Sequence, residues 1–377
     1  MSQITISPKQ LVRSAIRAIH TNQPLMIWGG PGLGKSDIIQ GLQHIRSLGK
    51  RIRIMDLRLA LFEPTDLRGF PFLDQANGLM KWAPPSELPS AEVAAKYDLV
   101  ILFLDELNSA SPSVQAAAYQ LVLNRRIGEY VLPDNVRIFA AGNGAGHMGV
   151  TYRMPAPLAN RFRHVHLEVS YDDWQEWALN HNVHPDIIGY LSSKKHNLYK
   201  FDPLTASEAF ATPRSWSFLS KVLYSPGFDD TDSYEQRAEI ASAVGEGISL
   251  DFTEHRRFAA FLPHPEDVLS GKVTKLDNKV AKEISARCSL VVSMCYELNS
   301  IYKSSQKESD KGISPKFVAA FNNAVRFSYE NFQPELVIVL FKTVMQDYKI
   351  DISVRKHLQA DLVQVMSDKY AKYLTGV

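Results

Sequence analysis

A glycine-rich stretch near the N-terminus carries the strongest chemical signal in the chain. Residues 25–40 are LMIWGGPGLGKSDIIQ, which satisfies the spacing G-x-x-x-x-G-K-[ST]. Glycines let the backbone wrap closely around phosphate oxygens and point its N–H groups at them. Lys35 would then reach the β- and γ-phosphates, and Ser36 would coordinate Mg²⁺. An ordinary glycine turn is the alternative to the predicted phosphate loop of Gly29, Gly30, Pro31, Gly32, Leu33, Gly34, Lys35, Ser36 and Asp37.

Two carboxylates follow the most apolar run of the first half of the chain. Asp105 and Glu106 stand near the end of DLVILFLDELN, residues 98–108. Open α/β sheets bind their ligands at the C-terminal ends of the strands, where these two acids would lie. Asp105 suits Mg²⁺ coordination, and Glu106 suits a general base that activates a water molecule. A strand that simply ends in solvated acids is the alternative.

An asparagine ends the next predicted strand. Asn143 closes the segment AAGN, where its side chain could orient an attacking water from the neighbouring strand. A turn residue before Gly144 is the alternative. Asn108, close to the two acids, is predicted to be a helix or turn residue rather than a catalyst.

These residues need a sheet that gathers the ends of several strands. Short apolar runs predict strands at residues 24–30, 51–58, 98–108, 136–143 and 164–169, with helices between them. A helix is expected from Ser7-Pro8 to about residue 20, another over 35–48, and a third from Ser111-Pro112 to about residue 124. Alternating strands and helices predict an α/β fold with a parallel five-stranded sheet sandwiched by helices.

Two further regions differ from this pattern. Residues 63–88 are rich in proline and glycine and predict an insertion that contains a small hairpin. Its aromatic residues Phe70, Phe72 and Trp82 either pack the hairpin onto the domain or grip a partner. After Ser170 the strand patterns disappear and most windows predict helix. In this helical part, Cys288 and Cys295 lie two helical turns apart and are predicted to be reduced core residues.

Composition limits the class of protein. The chain has 377 residues, a net charge of +2, 45% hydrophobic and 22% charged residues, which is ordinary for a globular protein of two or three domains. The near-neutral charge gives no case for a nucleic-acid or membrane partner. We expect a cytoplasmic protein, because we find no signal peptide and no run of about 18 apolar residues.

The motifs, in this order, resemble the Walker A and Walker B motifs of the AAA+ ATPases over about residues 8–225. The resemblance is specific to the MoxR-like branch, whose insertion in the second helix of the core is similar to LFEPTDLRGFPF and GLMKWAPPSELP. PLANRF resembles the arginine-finger segment, ATPRSW the sensor-two segment, and HPEDVLSGK a segment found after the lid. This implies that Arg161 reaches the γ-phosphate of a neighbouring subunit and that Arg214 senses it within the same subunit. A surface salt bridge of Arg161 or Arg163, and a capping or surface role for Arg214, are the alternatives.

The resemblance also implies an organisation and an activity. It implies an AAA+ core over residues 1–169 with the insertion at about 62–88, a helical lid over 170–250 and a helical extension over 251–377. With ATP and Mg²⁺, such a chain would work as a homo-oligomeric ring, commonly a hexamer, that remodels or activates a protein partner bearing a von Willebrand factor A domain. A nucleic-acid motor or loader shares the core, but the sequence has no zinc ribbon, helix-turn-helix signature or basic stripe. A monomeric P-loop kinase or transferase would need no arginine from a neighbour.

Overall fold

The computed structural model describes residues 4–45, 48–144, 151–203, 208–276, 284–306 and 313–366. The chain divides into two compact units. The first comprises Met1–Ser170 with Phe201–Ala206, and the second comprises Tyr171–Lys200 with Ser207–Val377. All the residues of the predicted phosphate loop and both acids belong to the first unit.

The first unit is built on a parallel sheet of six strands in the order β1-β10-β2-β9-β6-β3. Every residue of the central strand β6 is buried, as expected for a parallel strand with both faces covered. The α/β class and the parallel sheet predicted from the sequence are confirmed. The strands of this sheet are β1 (Thr5–Ile6), β2 (Leu25–Trp28), β3 (Ile52–Arg58), β6 (Leu99–Asp105), β9 (Val136–Gly142) and β10 (Arg163–Leu167).

Helices flank the sheet, and the two longest of those described in this unit begin at side-chain N-caps. Ser7 and Gln10 form a capping box at the start of the first helix, and the Ser111 hydroxyl accepts a hydrogen bond from the backbone N–H of Val114. The helices of this unit are α1 (Pro8–Thr21), α2 (Lys35–Gly41), α3 (Pro64–Arg68), α4 (Ala91–Ala95), α5 (Pro112–Asn124) and α6 (Ala156–Ala159).

Two details correct the sequence-based prediction. The sheet has six strands rather than five, because Thr5–Ile6 pairs with β10 at the edge. Two residues are too few to show the alternation by which a strand is recognised. The helix after the phosphate loop ends at Gly41 and not near residue 48, and a 3₁₀ turn, Leu42–His44, follows it. This end agrees with the low helix propensity of glycine.

The insertion contains the expected hairpin, formed by β4 (Phe70–Asp74) and β5 (Leu79–Ala83). Its aromatic residues divide into two groups. Phe70 is 68% exposed and Phe72 is 48% exposed, whereas Trp82 is half-buried with the Arg68 guanidinium 5.5 Å from its ring centroid. Trp82 therefore packs on its own hairpin region and the two phenylalanines do not. A second short hairpin joins β7 (Arg126–Ile127) to β8 (Tyr130–Val131).

The second unit is helical throughout its described residues. Its buried side chains form one continuous cluster that runs from Trp174 to Met366, on both sides of residue 250. Across that position the Trp216 and Phe252 rings pack edge to face, with centroids 5.5 Å apart. The separate lid and extension therefore stay a prediction. The helices are α7 (Tyr171–Asn180), α8 (Pro185–Ser193), α9 (Pro213–Leu223), α10 (Ser233–Val244), α11 (Glu246–Ala259), α12 (Pro265–Leu269), α13 (Ile284–Gln306), α14 (Pro315–Asn331), α15 (Pro334–Lys342) and α16 (Val354–His357).

Both cysteines lie on α13, buried and without a disulfide, as predicted for core residues. Burial raises the pKa of the Cys288 thiol to about 11, so this thiol stays protonated and unreactive at neutral pH. Among the helices that the structure describes, none combines the length and apolar character needed to cross a membrane.

Candidate functional site

The phosphate loop joins β2 to α2 at the C-terminal edge of the sheet. Gly32 has φ of 72° and Gly34 has φ of 80°, both in the left-handed region that side chains other than glycine rarely adopt. The loop ends directly at the N-terminus of α2, which begins at Lys35. Backbone N–H groups and a helix N-terminus favour an anion at this position.

The Lys35 ammonium group connects the loop to the neighbouring strand. Its Nζ donates hydrogen bonds to the backbone oxygens of Gly29 and Gly30, at 2.8 and 3.0 Å. It donates a third, at 3.0 Å, to Oδ1 of Asn143, which follows the end of β9. The structure thus brings together the predicted phosphate-binding lysine and the predicted water-orienting asparagine. A phosphate would compete for these same donor positions.

Ser36 meets the first of the two acids. Its hydroxyl donates a 2.6 Å hydrogen bond to Oδ2 of Asp105, whose side chain is buried at 8% exposure. The other carboxylate oxygen, Oδ1, accepts from the backbone N–H of Glu106 at 2.9 Å. The two side chains predicted to coordinate Mg²⁺ therefore converge on one point.

Glu106 adopts a backbone conformation that is unusual for its residue type. Its φ is 56°, in the left-handed region, which costs about 1–2 kcal/mol for a residue with a side chain. The turn is held because the Glu106 carbonyl accepts from the N–H groups of Ser109 and Ala110, while Leu107 N–H donates to Ala141 O in β9. Such strain concentrates at functional positions, and here it lies one residue beyond the Mg²⁺ candidate Asp105.

Asn108 is a site residue that the sequence did not reveal as one. Its Nδ2 donates to Asn143 O at 2.8 Å, and its Oδ1 accepts from Asn143 N at 3.1 Å. The side chain reaches this position because Gly142 has none: a Cβ built there would lie 2.4 Å from Asn108 Oδ1. Asn108 is therefore a turn residue with a positioning role. The only hint in the sequence is a glycine before Asn143, which indicates close approach of another group.

Asp56 is a second residue that the sequence analysis missed. It lies in β3, which pairs with β6, so its carboxylate belongs to the same edge as the two predicted acids. Partial desolvation raises the pKa of Asp56, and the negative charges of Asp105 and Glu106 add to this, against a hydrogen bond from Gln40. The sequence predicted a strand over residues 51–58, but only the strand order shows that this strand adjoins β6.

Arg161 lies in the turn that follows α6. Leu158 and Phe162, on either side, are buried, whereas Arg161 is exposed. Arg163 is half-buried and its guanidinium hydrogen-bonds the Ser14 hydroxyl at 3.4 Å, so it serves the packing of β10 against α1. Within the ranges given above, neither arginine forms an ion pair. The structure thus supports neither of the predicted surface salt bridges, and the finger role of Arg161 stays a prediction.

Arg214 belongs to the second unit. It is the second residue of α9, exposed, and follows the N-cap Thr212, whose hydroxyl accepts a hydrogen bond from Ser215 N–H. Its place in the first turn agrees with the helix start predicted from Pro213. Its role as a sensor of the γ-phosphate stays a prediction.

Comparison with known proteins adds two sequence relatives. The chain is 28% identical to Midasin of Giardia intestinalis over 206 residues, which cover 51% of this chain and 4% of Midasin. It is 26% identical to MoxR of Methylorubrum extorquens over 166 residues, which cover 43% of this chain and 45% of MoxR. The chain thus spans less than half the length of these relatives. No protein-family model matches it.

Solved structures resemble the chain only loosely. NtrX from Brucella abortus in complex with ATP superposes on 69% of this chain and 65% of its own, with a TM-score of 0.37 and 13% sequence identity. The sheet order, the loop between β2 and α2 and the acidic strand end of the first unit agree with the core that the resemblance to AAA+ ATPases implies. The two sequence relatives, Midasin and MoxR, agree with the resemblance of the motifs to MoxR-like AAA+ ATPases.

Proposed function

We propose that this chain hydrolyses ATP within a ring oligomer and uses the released energy to remodel or activate a protein partner. One observation carries the hydrolytic part. Where the loop meets the start of α2, Lys35 hydrogen-bonds Asn143 and Ser36 hydrogen-bonds Asp105, with Glu106 next in the chain. The residues predicted to bind phosphate, to bind Mg²⁺ and to act as the general base thus lie at the C-terminal edge of one sheet, where such folds bind their ligands.

The residues present fit a Mg²⁺ ion. Mg²⁺ prefers oxygen ligands, usually takes one or two from the protein and keeps water or substrate phosphates as the others. The Ser36 hydroxyl and the Asp105 carboxylate, 2.6 Å apart, supply such a pair. Bound there, Mg²⁺ would neutralise charge on the β- and γ-phosphates.

The remaining residues divide the hydrolysis between them. Glu106 takes the proton of the attacking water, whose oxygen forms a bond to the γ-phosphorus while the bond to the β-phosphate oxygen breaks and ADP leaves. Asn143 orients that water. Lys35 exchanges its contacts with Gly29 and Gly30 for the β- and γ-phosphates, so its charge stabilises the transition state.

The ring part of the proposal depends on Arg161. An exposed arginine on a turn anchored by buried neighbours is well placed to act on another subunit, and a finger in trans can contribute about 10³–10⁵ in rate. Arg214 would contribute from the second unit of the same chain. The hexameric state and a partner with a von Willebrand factor A domain follow from the resemblance to MoxR-like proteins.

A mixing experiment tests the proposal. Arg161→Ala and Glu106→Gln subunits should each be inactive alone, and the mixture should recover hydrolysis at interfaces where an intact base meets an intact finger. Arg17→Ala, which removes an exposed arginine of α1, is the matched control and should leave activity unchanged. A mixture without recovery, together with a monomer in ATP by light scattering, would exclude the ring.

A further inference from the structure

A hydrogen-bonded bridge links the phosphate loop to the turn that carries Arg161. Trp28, the last residue of β2, directly precedes the loop. Its indole Nε1 donates a 2.8 Å hydrogen bond to Nδ1 of His164 in β10, and the two ring planes are 12° from parallel. The other ring nitrogen of His164, Nε2, lies 2.7 Å from the backbone oxygen of Ala159.

A single protonation state of His164 satisfies both contacts. An indole N–H can only donate, so Nδ1 must be the unprotonated acceptor. The imidazole proton then stands on Nε2, where it donates to the Ala159 carbonyl. His164 is thus a neutral bridge between an indole and a backbone oxygen, and each arm uses a different ring nitrogen.

The bridge ends at Ala159, in the turn that also contains Arg161, the predicted arginine finger. Ala159 O also accepts from Phe162 N at 3.1 Å, and Arg161 N donates to Leu158 O at 3.1 Å. Leu158 and Phe162 are buried, so the turn is fixed to the core on both sides of the exposed Arg161. Only His164 ties this turn by side-chain hydrogen bonds to the strand that enters the phosphate loop, among the residues described.

We infer that His164 is a positioning residue that couples the phosphate loop of a subunit to its own arginine finger. A shift of the loop on nucleotide binding moves Trp28, and the two hydrogen bonds transmit that shift to Ala159 and hence to Arg161. The occupancy of one site then sets the geometry at the next site around the ring. This inference rests on the proposed function, because it requires that Arg161 act on a neighbour.

Two substitutions of His164 each retain one of its two hydrogen bonds and remove the other. The side-chain amide of His164→Asn occupies the region of Nδ1, so it can still accept from Trp28 but cannot reach Ala159. The longer amide of His164→Gln reaches the region of Nε2 and keeps the bond to Ala159 alone. Trp28→Phe retains an aromatic ring and removes the donor. His166→Gln is the matched control, since His166 lies two residues along β10 with its ring 15° from parallel to Trp28 and no hydrogen bond to it.

The experiment places each substitution in a subunit that cannot hydrolyse ATP but can still supply Arg161 to the site of a neighbouring subunit; such subunits are called donors. Subunits carrying Glu106→Gln together with His164→Asn, His164→Gln or Trp28→Phe are mixed with Arg161→Ala subunits, which can only hydrolyse. We expect the kcat of each mixture to fall about tenfold below that of the Glu106→Gln reference mixture, with KM for ATP unchanged, because a misplaced catalytic group costs rate. The His166→Gln donor should match the reference.

Two outcomes would overturn the inference, and they are distinguishable. In the first, the reference mixture recovers hydrolysis and the mixtures with His164→Gln or Trp28→Phe donors have the same kcat. The bridge then carries no coupling, although the proposed ring is still supported. If the reference mixture itself shows no recovery, the proposed function fails and the inference fails with it. Binding of a fluorescent ATP analogue to each donor verifies that its phosphate loop is intact, so a folding defect is not mistaken for lost coupling.

Discussion

The side chain of Asn108 holds both backbone polar groups of Asn143, donating to its carbonyl at 2.8 Å and accepting from its N–H at 3.1 Å. The two residues follow the ends of neighbouring strands and are 35 positions apart in the chain. Asn143 in turn accepts a hydrogen bond from Lys35. The Asn108 side chain therefore holds in place the residue that Lys35 hydrogen-bonds.

Asn108→Ala should impair catalysis more than nucleotide binding. It leaves the N–H and carbonyl of Asn143 without their partner, and an unsatisfied buried group costs about 1–3 kcal/mol. Because the Asn143 side chain then loses its fixed position, we expect kcat to fall about tenfold or more with a smaller change in KM. Steady-state ATPase kinetics measures both. Asn124→Ala, at the exposed end of α5, is the control; equal kinetics in both variants would contradict the positioning role.

Lys35→Ala should abolish nucleotide binding. The substitution removes the hydrogen bonds from Nζ to Gly29 O, Gly30 O and Asn143 Oδ1, and with them the positive charge predicted to bind the phosphates. We expect affinity for ATP to fall at least about a hundredfold, since charge-assisted hydrogen bonds are the strong ones. Titration calorimetry gives the affinity. Lys50→Ala removes an exposed lysine of the same unit and should bind as the parent does.

Glu106→Gln should separate binding from hydrolysis. A glutamine side chain has the same length as glutamate, and the cost of the left-handed backbone conformation is similar for the two residues. The turn with φ of 56° at position 106 should therefore persist. Without a general base, we expect kcat to fall about 10²–10⁴-fold while ATP still binds. Single-turnover hydrolysis and analogue binding test the two parts. A variant that retained most of its activity would show that another group takes the proton; Asp56 is the nearest candidate by sheet order.

Acid should destabilise the second unit through His255. This side chain is 6% exposed, and burial lowers its pKa to about 4 from an ordinary value of 6.5. Between these values the unfolded chain binds the proton and the folded one does not, so stability falls as pH drops through that window and stays level above it. The loss approaches about 3 kcal/mol near pH 4. Burial also lowers the pKa of His184, which adds to the loss in the same direction.

Urea unfolding at pH 7 and pH 5 measures this effect. His255→Gln should lose less stability between the two pH values than the parent does. His196→Gln removes an exposed histidine and should behave as the parent. Identical pH dependence in parent and His255→Gln would show that His255 titrates normally in the folded chain.

The hairpin phenylalanines should be dispensable for stability. Phe70 is 68% exposed and Phe72 is 48% exposed, so we expect Phe70→Ser to change the melting temperature by at most about 2 °C and Phe72→Ser by somewhat more. Trp82→Ala should cost more, because its ring is half-buried beneath the Arg68 guanidinium. Differential scanning calorimetry compares the three. A large decrease in the melting temperature of Phe70→Ser would show that Phe70 packs against the rest of the domain.

Local patterns were sufficient for part of the site. The glycine spacing predicted a loop between a strand and a helix, and the apolar run before Asp105 predicted a buried strand. The structure has both, because both signals lie within a dozen consecutive residues. The clamp from Asn108 to Asn143 was not predictable, since it depends on which strands are neighbours and in what register. Asp56 was missed for the same reason. The edge strand Thr5–Ile6 was missed because two residues show no period.

The position of β2 has a consequence for the synthesis of the protein. This strand leads into the phosphate loop, yet its two neighbours in the sheet are β9 and β10. At ~5–20 residues per second, the ribosome needs roughly 7–30 s to proceed from Trp28 to Leu167, about 140 residues later. Until then β2 lacks a partner on one side or on both, and its apolar edge is open to misassociation. The loop made among the first residues of the core is thus among the last parts to become competent for nucleotide.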